Sequence, residues 1–314
     1  MARWILKAAG ARAISALPAG RRVRVHYLAQ RRLTRSLRVD ADDFWLRLGR
    51  CRKHLEDYFT RSPSPARDFT ALELGTGWFP FTPIGLFLCG ARAVRTVDKE
   101  PFLRRTHVEH AVDRLLQCGR AGQLKAHLPL LDEERLERLR HVRARSAELS
   151  VEALLRELGI EVGVGDVREV DLTPAAIDLI CSDGTLQAIP EPQLADILVT
   201  FREVGSDSAV MSHEVAMKDA FAVFDHSIGP LNYLKFSDGM WRALGQPLNR
   251  LRASDYRRLH EQAGWRIVGE EGVELAREEA LEEIRLAKRF HRYESEDLRV
   301  IRSRVVSVPL KGGG

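Results

Sequence analysis

The sequence predicts an α/β protein: a seven-stranded, largely parallel sheet with crossover helices, preceded by a helical segment and interrupted by helical insertions. Three observations predict it. From residue 69 onward short apolar runs alternate with helical stretches, the texture of strands joined by crossovers. Before that point the chain reads as helix and closes on Arg61-Ser-Pro-Ser-Pro-Ala-Arg67, a cluster of turn residues that marks a boundary. The run Ala71-Leu-Glu-Leu-Gly-Thr-Gly-Trp-Phe-Pro80 ends an apolar strand in a glycine turn ahead of a helix.

The N-terminal part, residues 1–68, is expected to form a helical extension or lid. Its helices fall near Arg22 to Ser36 and Ala41 to Phe59, the second started by Asp40 as N-cap. The remainder, 69–314, is expected to hold the sheet. Strands are predicted at Phe69 to Leu74, Ala93 to Asp98, Ile160 to Val164, Ile177 to Cys181, Ala209 to Val215, Trp265 to Glu270 and Val305 to Leu310. Helices are predicted at Pro83 to Leu88, Phe102 to Cys118, Gln193 to Val204, Ser254 to Ala263 and Glu274 to Tyr293. Two insertions break the alternation. The stretch 124–158 is rich in Arg, Glu and Leu and reads as solvated helices packed on one side. The stretch 216–252 is richer in aromatics, His and Pro, and is the expected place for an acceptor.

With 314 residues, 45% of them hydrophobic and 30% charged, the composition is that of a globular protein able to bury a sizeable core. The longest apolar run, around Phe79 to Cys89, is broken by Pro80 and Pro83 and is too short to span a bilayer. Cys51, Cys89, Cys118 and Cys181 lack paired spacing, which argues against a disulfide framework and for a reducing, cytoplasmic setting. The net charge of +5 is unevenly placed, since no acidic residue precedes Asp40 while Arg and Lys recur from Arg3 to Arg38. A secretory signal is disfavoured because Lys7 and Arg12 interrupt the apolar stretch. An organellar transit peptide fits the composition. A short amphipathic helix, with Trp4, Ile5, Ala8, Ile14 and Leu17 on one side, fits contact with an anionic membrane surface or packing as a lid. The lid is preferred.

The chemistry is concentrated at the glycine turn. Gly75 and Gly77 allow a sharp bend and a close approach of backbone to ligand. About twenty residues later Asp98 ends the next strand, where a carboxylate can accept hydrogen bonds from both ribose hydroxyls. Glu73, the first residue of the turn, would repel a pyrophosphate and suits a cationic ligand. This disfavours a nucleotide-dependent dehydrogenase, as does the absence of a third glycine.

Glu73-Leu-Gly-Thr-Gly77 with Asp98 resembles the first motif and the following acidic position of class I S-adenosylmethionine (SAM) dependent methyltransferases. Gly165-Asp166-Val167 resembles the place where that family sets a side chain beside the adenine amine, and Asp178-Leu-Ile-Cys-Ser-Asp183 resembles its fourth motif. The resemblance runs from about Phe69 to Leu310 and departs at Phe79, where the family carries its third glycine. It implies a Rossmann-like sheet with helices on both faces, an antiparallel last strand, and SAM over the carboxyl ends of the strands. It implies cofactor contacts from Glu73, Gly75, Thr76, Gly77, Asp98, Lys99, Asp166, Val167 and Ser182, with S-adenosylhomocysteine (SAH) as product.

Methyl transfer needs mainly alignment, plus a general base when the acceptor is a hydroxyl. Candidate catalytic residues are His213, His226 and Asp183, which follow or end the fourth and fifth strands. Glu214, Asp219, Phe224, Asp225, Tyr233 and Trp241 are expected to line the acceptor pocket. No metal is expected, since too few oxygen ligands converge. The expected acceptor is a small molecule, with natural products and saccharide-like metabolites favoured. Two alternatives stay open: an RNA methyltransferase, motivated by the basic start but lacking interleaved aromatics, and an inactive SAM-binding scaffold at a membrane surface.

Overall fold

A computed structural model describes residues 17–30, 39–128, 130–222, 225, 227–244 and 248–310, together with residues 10, 13 and 37. Most of the basic amphipathic stripe, from Trp4 to Ile14, lies outside the described residues, as do Phe224 and His226. Among the described residues no helix is long and apolar enough to cross a membrane.

The chain opens with α1 (Ala19–Ala29) and α2 (Ala41–Arg61). Asp40 caps α2 as expected, its side chain accepting a hydrogen bond from the Asp43 amide at 2.9 Å, and Asp42 and Asp43 complement the positive end of the helix. One face of α2 is apolar, with Phe44, Leu48, Cys51, Leu55 and Tyr58 all buried. That face belongs to the main core, and it packs on α3 (Phe81–Leu88) and on the sheet. Helix α2 is therefore an integral wall of the domain, which the linker composition at 61–67 does not disclose.

All seven predicted strands are present: β1 (Thr70–Leu74), β2 (Ala93–Asp98), β3 (Ile160–Val164), β4 (Ile177–Asp183), β5 (Gly205–Ala216), β6 (Trp265–Leu275) and β7 (Val300–Pro309). They form one sheet in the order β3-β2-β1-β4-β5-β7-β6. The pairs β1–β2, β1–β4, β2–β3 and β4–β5 are parallel, and β7 runs antiparallel to both β5 and β6. The fold is thus a Rossmann-like α/β domain. Strand order reverses where β1 lies between β2 and β4, opening a crevice at their carboxyl ends, the usual ligand position in such sheets.

Helices cover both faces. On one side α2, α3 and α4 (Arg105–Arg120) pack with α5 (Leu124–His127), α6 (Glu133–Ala144) and α7 (Val151–Arg156). The charged insertion is helical because Asp132 and Ser150 cap α6 and α7, and it docks through Leu136, Leu139, Val142, Leu154 and Leu155. On the other side lie α8 (Glu191–Val204) and, after the short α9 (Asp238–Ala243), α10 (Ala253–Gln262).

The helix predicted over 274–293 is not there. Strand β6 continues to Leu275, and only α11 (Glu278–Glu282) and a 3₁₀ turn at Lys288–Arg292 follow before α12 (Ser295–Arg299). Glu274 pairs with Arg302 on β7, at 2.9 Å between charged groups. Edge-strand pairing thus overrides a Glu- and Arg-rich composition that by itself favours helix.

Candidate active site

Strand β1 stops at Leu74 because Gly75 and Gly77 turn with φ of +93° and +64°, a region that costs energy for any residue with a Cβ. Gly75 is also pressed from outside: a Cβ there would lie 2.1 Å from Thr185 Oγ1. Gly75→Ala is therefore expected to destabilise the fold by about 2 kcal/mol, read as a shift in urea midpoint. An unchanged midpoint would mean that the turn rearranges freely. At Gly77 and Gly165, by contrast, a Cβ would meet no protein atom within 4 Å, so the backbone borders open space.

That space is a cavity of about 420 Å³, within the size range of small-molecule sites. Its walls come from the ends of β1, β2, β3 and β4. Of the predicted residues it brings together Gly75, Gly77, Asp98, Lys99, Asp166, Val167 and Asp183. Leu74, Val97, Ile189, Pro190 and Ile197 give it apolar sides. Asp98 accepts hydrogen bonds from the Gly77 amide at 2.9 Å and the Glu100 amide at 3.2 Å. Burial raises its carboxyl above the ordinary value, and these backbone amides only partly oppose it. Asp166 caps the 3₁₀ turn Val167–Glu169 and pairs with Arg168 at 2.6 Å, which holds its carboxyl at about 2.

Glu73 and Thr76 are placed differently from expectation. Both are buried, and neither lines the cavity. Thr96 donates its hydroxyl to Glu73 and therefore accepts from Thr76, giving a short chain Thr76–Thr96–Glu73 under the turn. Burial outweighs these contacts and pushes the Glu73 carboxyl up to about 8. The acids on the cavity wall are Asp98, Asp166 and Asp183, not Glu73.

Phe79, at the place of the third glycine, is buried against Phe81 and His107, with ring centroids 5.8 and 4.7 Å away. Burial brings His107 down to about 4. Helix α1 lies on the outside of this cluster: Tyr27 meets Trp78 at 5.4 Å, Arg104 stacks on Tyr27 at 3.7 Å, and Arg22 pairs with Glu100.

His213 does not reach the cavity. It pairs in register with Ser182, as Glu214 does with Asp183, and alternation along a strand sends the two pairs to opposite faces. Asp183 and Glu214 face α2. Ser182 and His213 face α8 and α10, hydrogen-bonded to each other at 2.8 Å. His213 is fully buried between Phe201 and His260, at centroid distances of 6.1 and 6.0 Å. Burial brings its pKa well below the ordinary value. It is a core histidine, and Ser182 is its partner, not a cofactor contact.

Two residues expected to line an acceptor pocket in 216–252 are placed in a core instead. Tyr233 and Trp241 are buried with Phe236 and Phe290 in a separate small core. Their polar tips donate to the Met217 and Leu248 carbonyls, each at 2.9 Å. Asp219 is buried and closes the loop by accepting from the Phe221 amide and the Asn232 side chain. Asp225 accepts from the Ser227 amide at 3.2 Å. Arg252, fully buried, donates to the Asp297, Leu298 and Val300 carbonyls and locks this core to β7. Glu214 pairs with Arg50 at 3.1 Å.

Residues missed from the sequence lie on α2. His54, 1% exposed, places Nε2 3.2 Å from Asp183 Oδ1 and Nδ1 2.7 Å from Ser212 Oγ. Ser212 donates to Asp57 at 2.6 Å, and Asp57 pairs with Arg304 at 3.0 Å. Burial alone would raise the Asp183 carboxyl, but His54, Arg50 and Arg47 outweigh it and hold the group below its ordinary value. The signal was a polar row Arg50, His54, Asp57 at i, i+4, i+7 beside an apolar helix face. Among the described residues no group of three or more His, Cys, Asp or Glu side chains forms a metal-binding arrangement.

The fold and this cavity define a doubly wound α/β domain with a cavity of about 420 Å³ at its switch point. The sequence matches no family model and no curated protein. Among solved structures the chain is similar to the PH0226 protein from Pyrococcus horikoshii OT3, with 12% identity, TM-score 0.48 and coverage of 89% of this chain and 97% of that one. It is also similar to an S-adenosylmethionine dependent methyltransferase from Mesorhizobium loti (13%, TM-score 0.43, 81% and 96%) and to the CcbJ methyltransferase from Streptomyces caelestis (11%, TM-score 0.43, 84% and 90%). Similarities of this depth assign neither activity nor substrate, which rest on the side chains.

Proposed function

We propose that the chain is a SAM-dependent methyltransferase acting on a hydroxyl or amine of a small molecule, with natural products and saccharide-like metabolites as the favoured class. The observation that carries this reading is one cavity at the β1–β4 switch joining the glycine turn, Asp98 and Asp183. The residues fit the cofactor. Open space beside Gly77 and Gly165 admits a ligand against the backbone, Asp98 offers acceptors for ribose hydroxyls, and Val97, Val167 and Ile189 offer apolar surface for a base. Lys99 and Asp166 stand at the same end. When bound, SAM supplies a methyl group already activated on a sulfonium.

The chain's own task is then alignment and proton handling. Asp183, ionised and on the cavity wall, is the group placed to take a proton from an acceptor hydroxyl. Neither His213 nor Ser182 takes part.

Calorimetry with SAM and SAH is the direct test, and both are expected to bind with Kd in the micromolar range. Tighter binding of a nicotinamide dinucleotide, or no binding of either sulfur compound, would remove the proposal.

A further inference from the structure

We propose that His54 is held as an imidazolium that positions Asp183 on the cavity wall, which makes helix α2 part of the reaction apparatus. The inference rests on the methyltransferase reading for its consequence, though not for its geometry.

The argument is an inventory of protons. Asp57 forms an ion pair with Arg304 at 3.0 Å and accepts from the Ser212 hydroxyl at 2.6 Å. Ser212 has one proton and spends it on Asp57, so toward His54 its oxygen can only accept. Nδ1 of His54, 2.7 Å away, must therefore carry a proton. Nε2 faces Asp183 Oδ1 at 3.2 Å, and an ionised carboxylate is an acceptor only. Nε2 must carry a proton as well, and a ring with two N–H groups is cationic.

Around the ring and its two carboxylates stand Arg47, Arg50, Cys51 and Asp57 from α2, Asp183 and Cys181 from β4, Glu73 from β1, His213 and Glu214 from β5, Glu271 from β6 and Arg304 from β7. Of these, Cys51 and Cys181 are pushed well above the ordinary thiol value, burial being the largest cause, and Glu73 is pushed up to about 8 by burial. Burial raises Asp57, with Ser212 and Arg304 opposing it, and the acid in contact with the ring is Asp183. With His54 occupying Oδ1, the other oxygen of Asp183 is left for the cavity. His54 itself touches neither cofactor nor acceptor and is a positioning residue. In the reaction the acceptor oxygen forms a bond to the methyl carbon, the carbon–sulfur bond breaks with its electron pair going to sulfur, and the acceptor proton goes to Asp183.

Two measurements test this on the full chain. The first is ¹⁵N NMR of side-chain nitrogens in histidine-labelled protein, with the His54 signals assigned by their loss in His54→Gln. Two protonated ring nitrogens are expected at pH 7.5, with one of them deprotonated in Asp183→Asn. A neutral ring in the wild type overturns the proposal. The second compares SAM and SAH affinity from pH 5 to pH 7, below the range in which Glu73 ionises. In the wild type the ratio is expected to be flat, because Asp183 is ionised throughout. In His54→Gln, burial raises the Asp183 carboxyl without its cationic partner, and the advantage of the cationic ligand is expected to fall about tenfold toward pH 5. A flat ratio in that variant reduces His54 to a packing role and overturns the proposal. If the wild type binds neither compound, the methyltransferase reading fails, and the ring-nitrogen result decides the imidazolium by itself.

Discussion

Asp98→Ala is expected to lose cofactor binding by about a thousandfold. A hydrogen bond to a charged group contributes about 1.5–3 kcal/mol, and a carboxylate that accepts from two ribose hydroxyls supplies two. Their loss costs about 4 kcal/mol, or roughly three decades in Kd. The backbone adds to the effect, since the Gly77 and Glu100 amides now donate to this same carboxylate, and in the variant the glycine turn loses its anchor. Asp98→Asn keeps an acceptor oxygen and is expected to fall between the two. Titration of SAH into each protein, with thermal unfolding as a check that the sheet is intact, reads the result. An Asp98→Ala protein with unchanged Kd would show that the cavity holds its ligand elsewhere.

Strands β2 and β3 begin and end where the sequence predicts, because turn residues bound them: Gly90 and Pro101 flank β2, and Gly159 and Gly165 flank β3. The glycine turn and Asp98 were equally legible, since their chemistry is local: both lie within one strand-turn-helix-strand stretch. What was not legible depends on long-range geometry. His54 meets Asp183 across 129 positions of sequence, and no local pattern states which strand end a helix will cover. His213 misled for a related reason. In a strand buried on both faces its apolar neighbours do not tell which side the ring takes, and a one-residue alternation separates the cavity from the core. Tyr233 and Trp241 misled because aromatic residues serve core and pocket alike, and only their hydrogen bonds to the Met217 and Leu248 carbonyls show which.

Glu73→Gln is expected to stabilise the protein, and increasingly so as pH rises. In the folded chain burial raises this carboxyl from an ordinary 4.5 to about 8, whereas the unfolded chain titrates near the ordinary value. Between those two values the folded protein holds a proton that the unfolded chain has released, so the stability that Glu73 contributes is present below about 4.5 and is lost as pH climbs through 8. A glutamine keeps the size and can still accept from Thr96, but it has nothing to ionise. The difference in unfolding free energy between variant and wild type is therefore expected to grow by about 3 kcal/mol from pH 5 to pH 8, measured by urea denaturation at several pH values. A difference that stays constant would mean that Glu73 is already ionised under the turn, with a counter-charge stronger than the threonine hydroxyls beside it. The direction also bears on why an acid is kept at such a cost. A cation bound in the neighbouring cavity would favour the ionised form and offset the penalty, so the same substitution should gain stability while weakening the hold on a sulfonium.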